Sequence, residues 1–298
     1  MFDILVGTII PSRSAAPMIR QLNPKGFECY EVNFDSDEKF ADIPEFAKEV
    51  KEALDGRKVS AISCYGNTMC DETVYKKVET LIKSAALFDC NTVCMFAGGD
   101  PAKSVPDNMP LFKKTFEPLS KLAEEYNVKI GFENCGGGWH RGSTNIAFCP
   151  DSWELMFNEV TSEALGLEWE PAHQLCALMD PIPQLRKWAK KVVHLHGKDA
   201  TIAWDVIREH GTHGTTPYAW HRTPGFGDCN WSDIFTILMQ AGFEGAVDIE
   251  GYHDPVFYDD LEWSGQLTAL EYLKRCRGGI EYYAGPEEYR GYQGARKK

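Results

Sequence analysis

Short apolar, β-branched runs bounded by turn residues recur along the chain. They are Ile4-Leu5-Val6, Cys29-Tyr30-Glu31-Val32, Val59 to Cys64, Thr92 to Phe96, Val128 to Phe132, Leu165 to Trp169, Val192 to Leu195 and Ala246 to Ile249. Their centres fall near 5, 31, 62, 94, 131, 168, 194 and 248, so the spacing runs from 26 to 37 residues except for one gap of 54. About thirty residues is what one strand and one returning helix occupy. The segments between the runs agree. Glu45 to Leu54, Tyr75 to Phe88, Pro110 to Tyr126 and Ile234 to Ala241 carry apolar residues at helical spacing, and Asp151-Ser152-Trp153-Glu154 reads as a helix start. Eight strand-then-helix units predict one α/β domain over residues 1–298, a (β/α)8 barrel with a C-terminal extension from about residue 277. A doubly wound open sheet is the alternative, because periodicity alone does not show that a sheet closes. The gap of 54 lies between the seventh and eighth runs and is rich in Gly, His, Trp and Pro from His210 to Asp228, which predicts a long functional loop.

Composition narrows the class. With 43% hydrophobic and 25% charged residues, the chain is neither collagen-like, disordered nor a coiled coil. Lys and Arg number 31 against 44 Asp and Glu, and a net charge of −13 makes nucleic acid and anionic membrane poor partners. No apolar run approaches the roughly 20 residues of a membrane helix. Met1-Phe2-Asp3-Ile4-Leu5 also lacks the basic start of a signal peptide, so a soluble cytoplasmic protein is expected. The 10 cysteines are scattered without a C-x-x-C pair, which points to free buried thiols in a reducing compartment. G-x-x-x-x-G-K-[ST], G-x-S-x-G and H-E-x-x-H are all missing, and P-loop nucleotide hydrolysis and serine-esterase chemistry lose their sequence support.

All eight histidines lie from His140 onward, so the polar chemistry is in the second half. Run five ends Phe132-Glu133-Asn134, run six Glu168-Trp169-Glu170-Pro171-Ala172-His173, run seven His194-Leu195-His196-Gly197-Lys198-Asp199 and run eight Asp248-Ile249-Glu250. The carboxyl ends of the strands are where an α/β barrel carries its active site. A buried unpaired carboxylate costs several kcal/mol, a penalty that a divalent cation shared by several ligands removes. Glu133, Glu170, His196 and Glu250 are therefore the candidate metal ligands. Three carboxylates and one imidazole suit one divalent ion, Mn²⁺ first, with Mg²⁺, Co²⁺ or Zn²⁺ as alternatives. By strand alternation Glu168, His194 and Asp248 share faces with Glu170, His196 and Glu250, either as groups orienting the ligands or as inter-strand ion pairs.

Taken together and in order, these strand-end motifs, with Pro224-Gly225-Phe226-Gly227-Asp228, resemble the xylose isomerase-like TIM barrels, the sugar phosphate isomerase/epimerase group related more distantly to endonuclease IV. The resemblance implies a metal held by residues of strands five to eight, here Glu133, Glu170, His196 and Glu250, with Glu170 where the family has Asp. It implies substrate contact at His173. The ketose 3-epimerases of the family carry a second Glu six residues after the first ligand and an Arg six residues after the ligand His. Trp139 and Ile202 stand at those positions.

A divalent ion on a carbonyl and its neighbouring hydroxyl acidifies the C–H between them and stabilises an enediolate, with Glu133 and Glu250 as the pair that removes and returns the proton. The expected activity is that of a divalent-metal-dependent sugar or sugar phosphate isomerase/epimerase acting on a small carbohydrate. A lyase or dehydratase on the same scaffold is the runner-up, since an enolate can instead expel a β leaving group. DNA repair like that of endonuclease IV and a non-catalytic subunit are remoter readings. Substrate contacts are sought in the glycine-rich stretch, with Trp139 to stack on a sugar and His140 or Arg141 to bind oxygens. Further candidates are Lys198, Arg222 and His253. Lys198 and Asp199 read equally as a pair with each other, and Arg222 as a loop anchor. The aromatic loop Tyr252 to Trp263 is the candidate surface of a homo-oligomer.

Overall fold

The computed structural model of the chain describes residues 2–35, 40, 42–138, 140 and 142–285. Eight parallel strands close on themselves: β1 (Ile4–Pro11), β2 (Cys29–Asn33), β3 (Lys58–Ser63), β4 (Thr92–Met95), β5 (Lys129–Glu133), β6 (Leu165–Trp169), β7 (Val192–Gly197) and β10 (Gly245–Ile249). Each contains one of the eight predicted centres. Closure is made by β1 against β10, with Ile4 opposite Gly245 and Thr8 opposite Ile249, and it removes the open-sheet alternative. The helices are α1 (Ala15–Leu22), α2 (Ile43–Leu54), α3 (Glu72–Ser84), α4 (Val105–Glu125), α5 (Pro150–Glu159), α6 (Pro171–Cys176), α7 (Pro181–Trp188), α8 (Trp204–His210), α9 (Trp231–Ala241) and α10 (Glu262–Arg277). Among the described residues no helix is long and apolar enough to cross a membrane.

Local chemistry sets the helix starts. The apolar period alone places α4 from Pro110, yet it begins five residues earlier, because the Ser104 side chain caps the amide of Asp107 and a proline stands in the first turn. Likewise α5 starts at Pro150, with Ser152 bonded back to Cys149. The 10 cysteines are free, and Cys70 is exposed rather than buried.

The long segment after β7 departs most from expectation. It is an antiparallel ribbon, β8 (Asp199–Ile202) paired with β9 (Ala219–Arg222) and joined through α8. Asp199 pins its base, accepting hydrogen bonds from the amides of Ala200, Gly225 and Cys229 and from the Trp231 indole.

Arg277, the last residue of α10, bolts the barrel shut. Its guanidinium donates to the Ile4 carbonyl at 2.7 Å and to both carboxylate oxygens of Glu28 at 2.6 and 3.1 Å, and it lies 4.1 Å from the Phe2 ring centroid. Burial pushes the Glu28 carboxyl up, but Arg277, the Val6 amide and Lys274 outweigh it and hold the group below its usual value. Arg277→Met leaves Glu28 without its main partner, so it is expected to lower unfolding free energy by about 3 kcal/mol in urea titration. A loss below about 1 kcal/mol would show that the pair is dispensable.

Candidate active site

The barrel interior is apolar against the helices and polar along its axis. Fully buried Glu31, Glu168, His194 and Asp248 form a deep layer, and room has been made for it: a Cβ on Gly7 would meet Asp248 Oδ1 at 2.1 Å. His194 Nε2 lies 3.0 Å from Glu31 Oε2 and 3.1 Å from Asp248 Oδ2. Burial pulls the His194 pKa down, but hydrogen bonds to Asp248 and Glu31 overcome it and raise the value to about 10. Tyr65 reaches in from the loop after β3, its hydroxyl 2.8 Å from Glu31 Oε1 and 3.0 Å from Glu168 Oε2.

Above this layer the strand ends bring Glu133, Glu170, His196 and Glu250 together, one donor atom of each within 4.8 Å of the others. His196 connects the two levels. Its Nε2 is 3.0 Å from Glu31 Oε2 and 3.0 Å from Glu168 Oε1, which makes that nitrogen the N–H donor. Its Nδ1 faces Glu250 Oε2 at 3.3 Å, Glu170 Oε2 at 3.7 Å and Glu133 Oε1 at 3.9 Å.

Several of these atoms are orphaned. Both carboxylate oxygens of Glu170, Glu250 Oε2 and His196 Nδ1 are buried without a hydrogen-bond partner among the described residues. Carboxylate oxygens gathered this closely in a buried site repel one another and carry a large desolvation penalty, which a cation coordinated by them would remove. Oxygen-rich with one imidazole, the set fits a hard divalent ion.

The frame around the donors is rigid. Asn134 clamps the Glu170 backbone, accepting from its amide at 2.7 Å and donating to its carbonyl at 2.8 Å. Lys198 is buried with Nζ 2.8 Å from Glu250 Oε1. Burial drives Glu133 up to about 8, with Glu250 and Glu170 adding to the rise although His173 and His196 oppose it. Burial would raise Glu250 as well, but Lys198 and His196 hold it well below its usual value.

His173 Nε2 stands 3.4 Å from Glu170 Oε1 and 3.7 Å from Glu133 Oε1. Despite burial, the charge of Glu170 and a hydrogen bond to Cys135 raise its pKa well above the ordinary histidine value. From it a file of imidazoles leads outward, His221 with its ring 4.9 Å away and His253 at 5.9 Å from His221. His221 is pulled down to about 4, by burial first and then by the charge of Lys198.

The remaining expected contacts are distributed differently. Lys198 pairs with Glu250 and not with Asp199, which is committed to the ribbon. Arg222 is engaged by Asp254 at 3.2 Å, the anchoring alternative, while its neighbour His221 faces His173. His140 is exposed, and Trp139 and Arg141 lie outside the described residues. Glu31, Tyr65 and His221 join the site only in the fold. Glu31 did carry a signal, as a carboxylate inside an apolar run.

Comparison with known proteins agrees with this architecture. A family model described as the xylose isomerase-like TIM barrel matches residues 19–276. An inosose dehydratase of Clostridium tetani is 28% identical over 167 residues, covering 54% of this chain and 52% of that protein, so the chain spans about half the length of this curated relative. Among solved structures, a xylose isomerase domain protein from Planctomyces limnophilus superposes with a TM-score of 0.69 at 19% identity, over 92% of this chain and 96% of that one. A 3-keto-D-glucoside 4-epimerase from E. coli gives 0.69 at 14% identity, over 92% and 100%.

Proposed function

The chain belongs to the xylose isomerase-like TIM barrel family, and from that footing we propose that it is a divalent-metal-dependent sugar isomerase or epimerase. The observation that carries this reading is the set of orphaned donors of Glu170, His196 and Glu250 converging beside Glu133 at the strand ends. An ion held by these four residues, Mn²⁺ by expectation, would polarise a substrate carbonyl and acidify the C–H next to it.

The rest is done by the chain. Glu133 ends β5 and Glu250 follows β10, with β6 and β7 between them, so the two carboxylates meet a substrate from different sides. Each has two oxygens, and one can take the α-proton while the other group returns it. Lys198, beside Glu250 Oε1, offers a fixed positive charge to oxygens that gain electron density.

A second reading rests on His173. It stands 3.4 Å from Glu170 Oε1, whose charge favours its protonated form, and from there it can give a proton to a hydroxyl β to the carbonyl. The C–H electron pair then forms the C=C bond as the C–O bond breaks, and water leaves. That is the chemistry of a dehydratase, the activity named for the Clostridium tetani relative.

Mass spectrometry of keto sugars and keto-inositols incubated with the protein in D2O separates the outcomes. Isomerisation or epimerisation keeps the carbon skeleton and gains deuterium, whereas dehydration loses one water. Both readings require that exhaustive chelation abolish turnover and that one equivalent of a divalent ion restore it; undiminished turnover after chelation would refute both.

A further inference from the structure

A cavity of about 420 Å³ opens at the same end of the barrel, where the ends of β1 and β2 meet the turn after β10. It is lined by Arg13, Asn33, Asp35, Tyr252, Glu262 and Trp263, among others, and the chemistry proposed above uses none of these six. Its size falls within the range of roughly 300–1,000 Å³ typical of small-molecule pockets.

Tyr252 ties this cavity to the cluster, two residues beyond Glu250. The turn between them is strained: Tyr252 and His253 take left-handed φ values of 44° and 68° in succession. Gly251 lets Glu262 press against the turn, since a Cβ there would lie 1.7 Å from Glu262 Oε1. That oxygen accepts from the Tyr252 amide at 3.2 Å and from Gln266 Nε2 at 2.9 Å. The turn thus directs Tyr252 to the cavity and His253 to His221.

The lining states the class of ligand. Arg13 is exposed and meets no carboxylate among the described residues, while Asp35 and Glu262 contribute two anions. One cation against two carboxylates disfavours a phosphate dianion. Guanidinium and amide donors, carboxylate acceptors and the flat faces of Trp263 and Tyr252 around one space suit a neutral polyhydroxylated ring, stacked on its apolar face and hydrogen-bonded at its edge.

We propose that the substrate is a glycoside that spans both spaces, its reacting ring at the cluster of Glu133, Glu170, His196 and Glu250 and its second ring in the cavity of Arg13, Tyr252 and Trp263. The assignment of the reacting ring rests on the carbonyl chemistry proposed above. The occupancy of the cavity does not.

Isothermal titration of the full chain with methyl β-D-glucopyranoside, cellobiose, maltose and trehalose tests it. At least one disaccharide should bind about tenfold more tightly than the monosaccharide, and Trp263→Ala and Arg13→Ala should each collapse that ratio towards one. Far-UV circular dichroism checks folding, and Arg13, being exposed, keeps the test open if the Trp263 variant misfolds. Equal affinities, or a preference that survives both substitutions, would overturn the proposal. So would tight binding of glucose 6-phosphate that Arg13→Ala removes. Solvent exchange of the α-proton of methyl 3-keto-glucoside is measured apart. Its absence would sink the carbonyl reading and leave the disaccharide preference to be judged alone.

Discussion

Glu250→Gln is expected to slow exchange of the substrate α-proton with solvent by about 10²–10⁴-fold while the protein stays folded. The amide keeps the shape of the side chain and still accepts from Lys198, whose ammonium lies 2.8 Å from Oε1. It loses the basicity that a proton acceptor needs. Glu133→Gln should fail in the same way if one carboxylate removes the proton and the other returns it, since closing the cycle needs both. Deuterium wash-in followed by proton NMR reads the step directly and does not depend on whether an isomer or an elimination product follows. Exchange within a factor of two of wild type in both variants would end the two-carboxylate reading.

His196→Ala should produce the second large effect, in ion binding. It deletes the Nδ1 donor and strips Glu31 and Glu168 of the imidazole that sits 3.0 Å from each of them in the sealed interior. Titration of metal-free protein with Mn²⁺ should show one site in wild type and none in the variant, with stability down by about 3–5 kcal/mol because buried charges lose their partner. Affinity in the wild type should also depend on pH. Glu133 is pushed up to about 8 in the metal-free chain, so below that pH it carries a proton that an ion must displace. Affinity therefore rises as pH approaches 8, by at most about tenfold per unit for this one group, and then levels. An affinity that is flat from pH 6 to 8 would remove Glu133 from the ligand set.

The barrel strands were legible because burial on both faces demands unbroken apolar runs, and a carboxylate in such a run is conspicuous. Glu133, Glu170 and Glu250 stood out for that reason. Glu31 obeys the same rule, but it lies in the second strand and its partners His194 and His196 are more than 160 residues away. The pairing of β2 with β3 shifts register between Tyr30 and Glu31, and that of β6 with β7 between Leu167 and Glu168; neither irregularity has a local signature. Tyr65 comes from a loop whose composition marks nothing. The ribbon is not visible in sequence because β9 is only partly buried throughout and shows no inside–outside alternation. Arg222 left two roles open in sequence, and only the fold brings Asp254 to it.

The deep layer bears on how such a protein can change over generations. His194 lies so close to both Glu31 and Asp248 that replacing it alone leaves two buried carboxylates without that partner. A tolerated change in that layer calls for a second change that removes or re-pairs the stranded charge. Exposed side chains at the rim, Arg13 and Tyr252 among them, stand outside that network. Replacements at those rim positions leave the deep charges paired as they are.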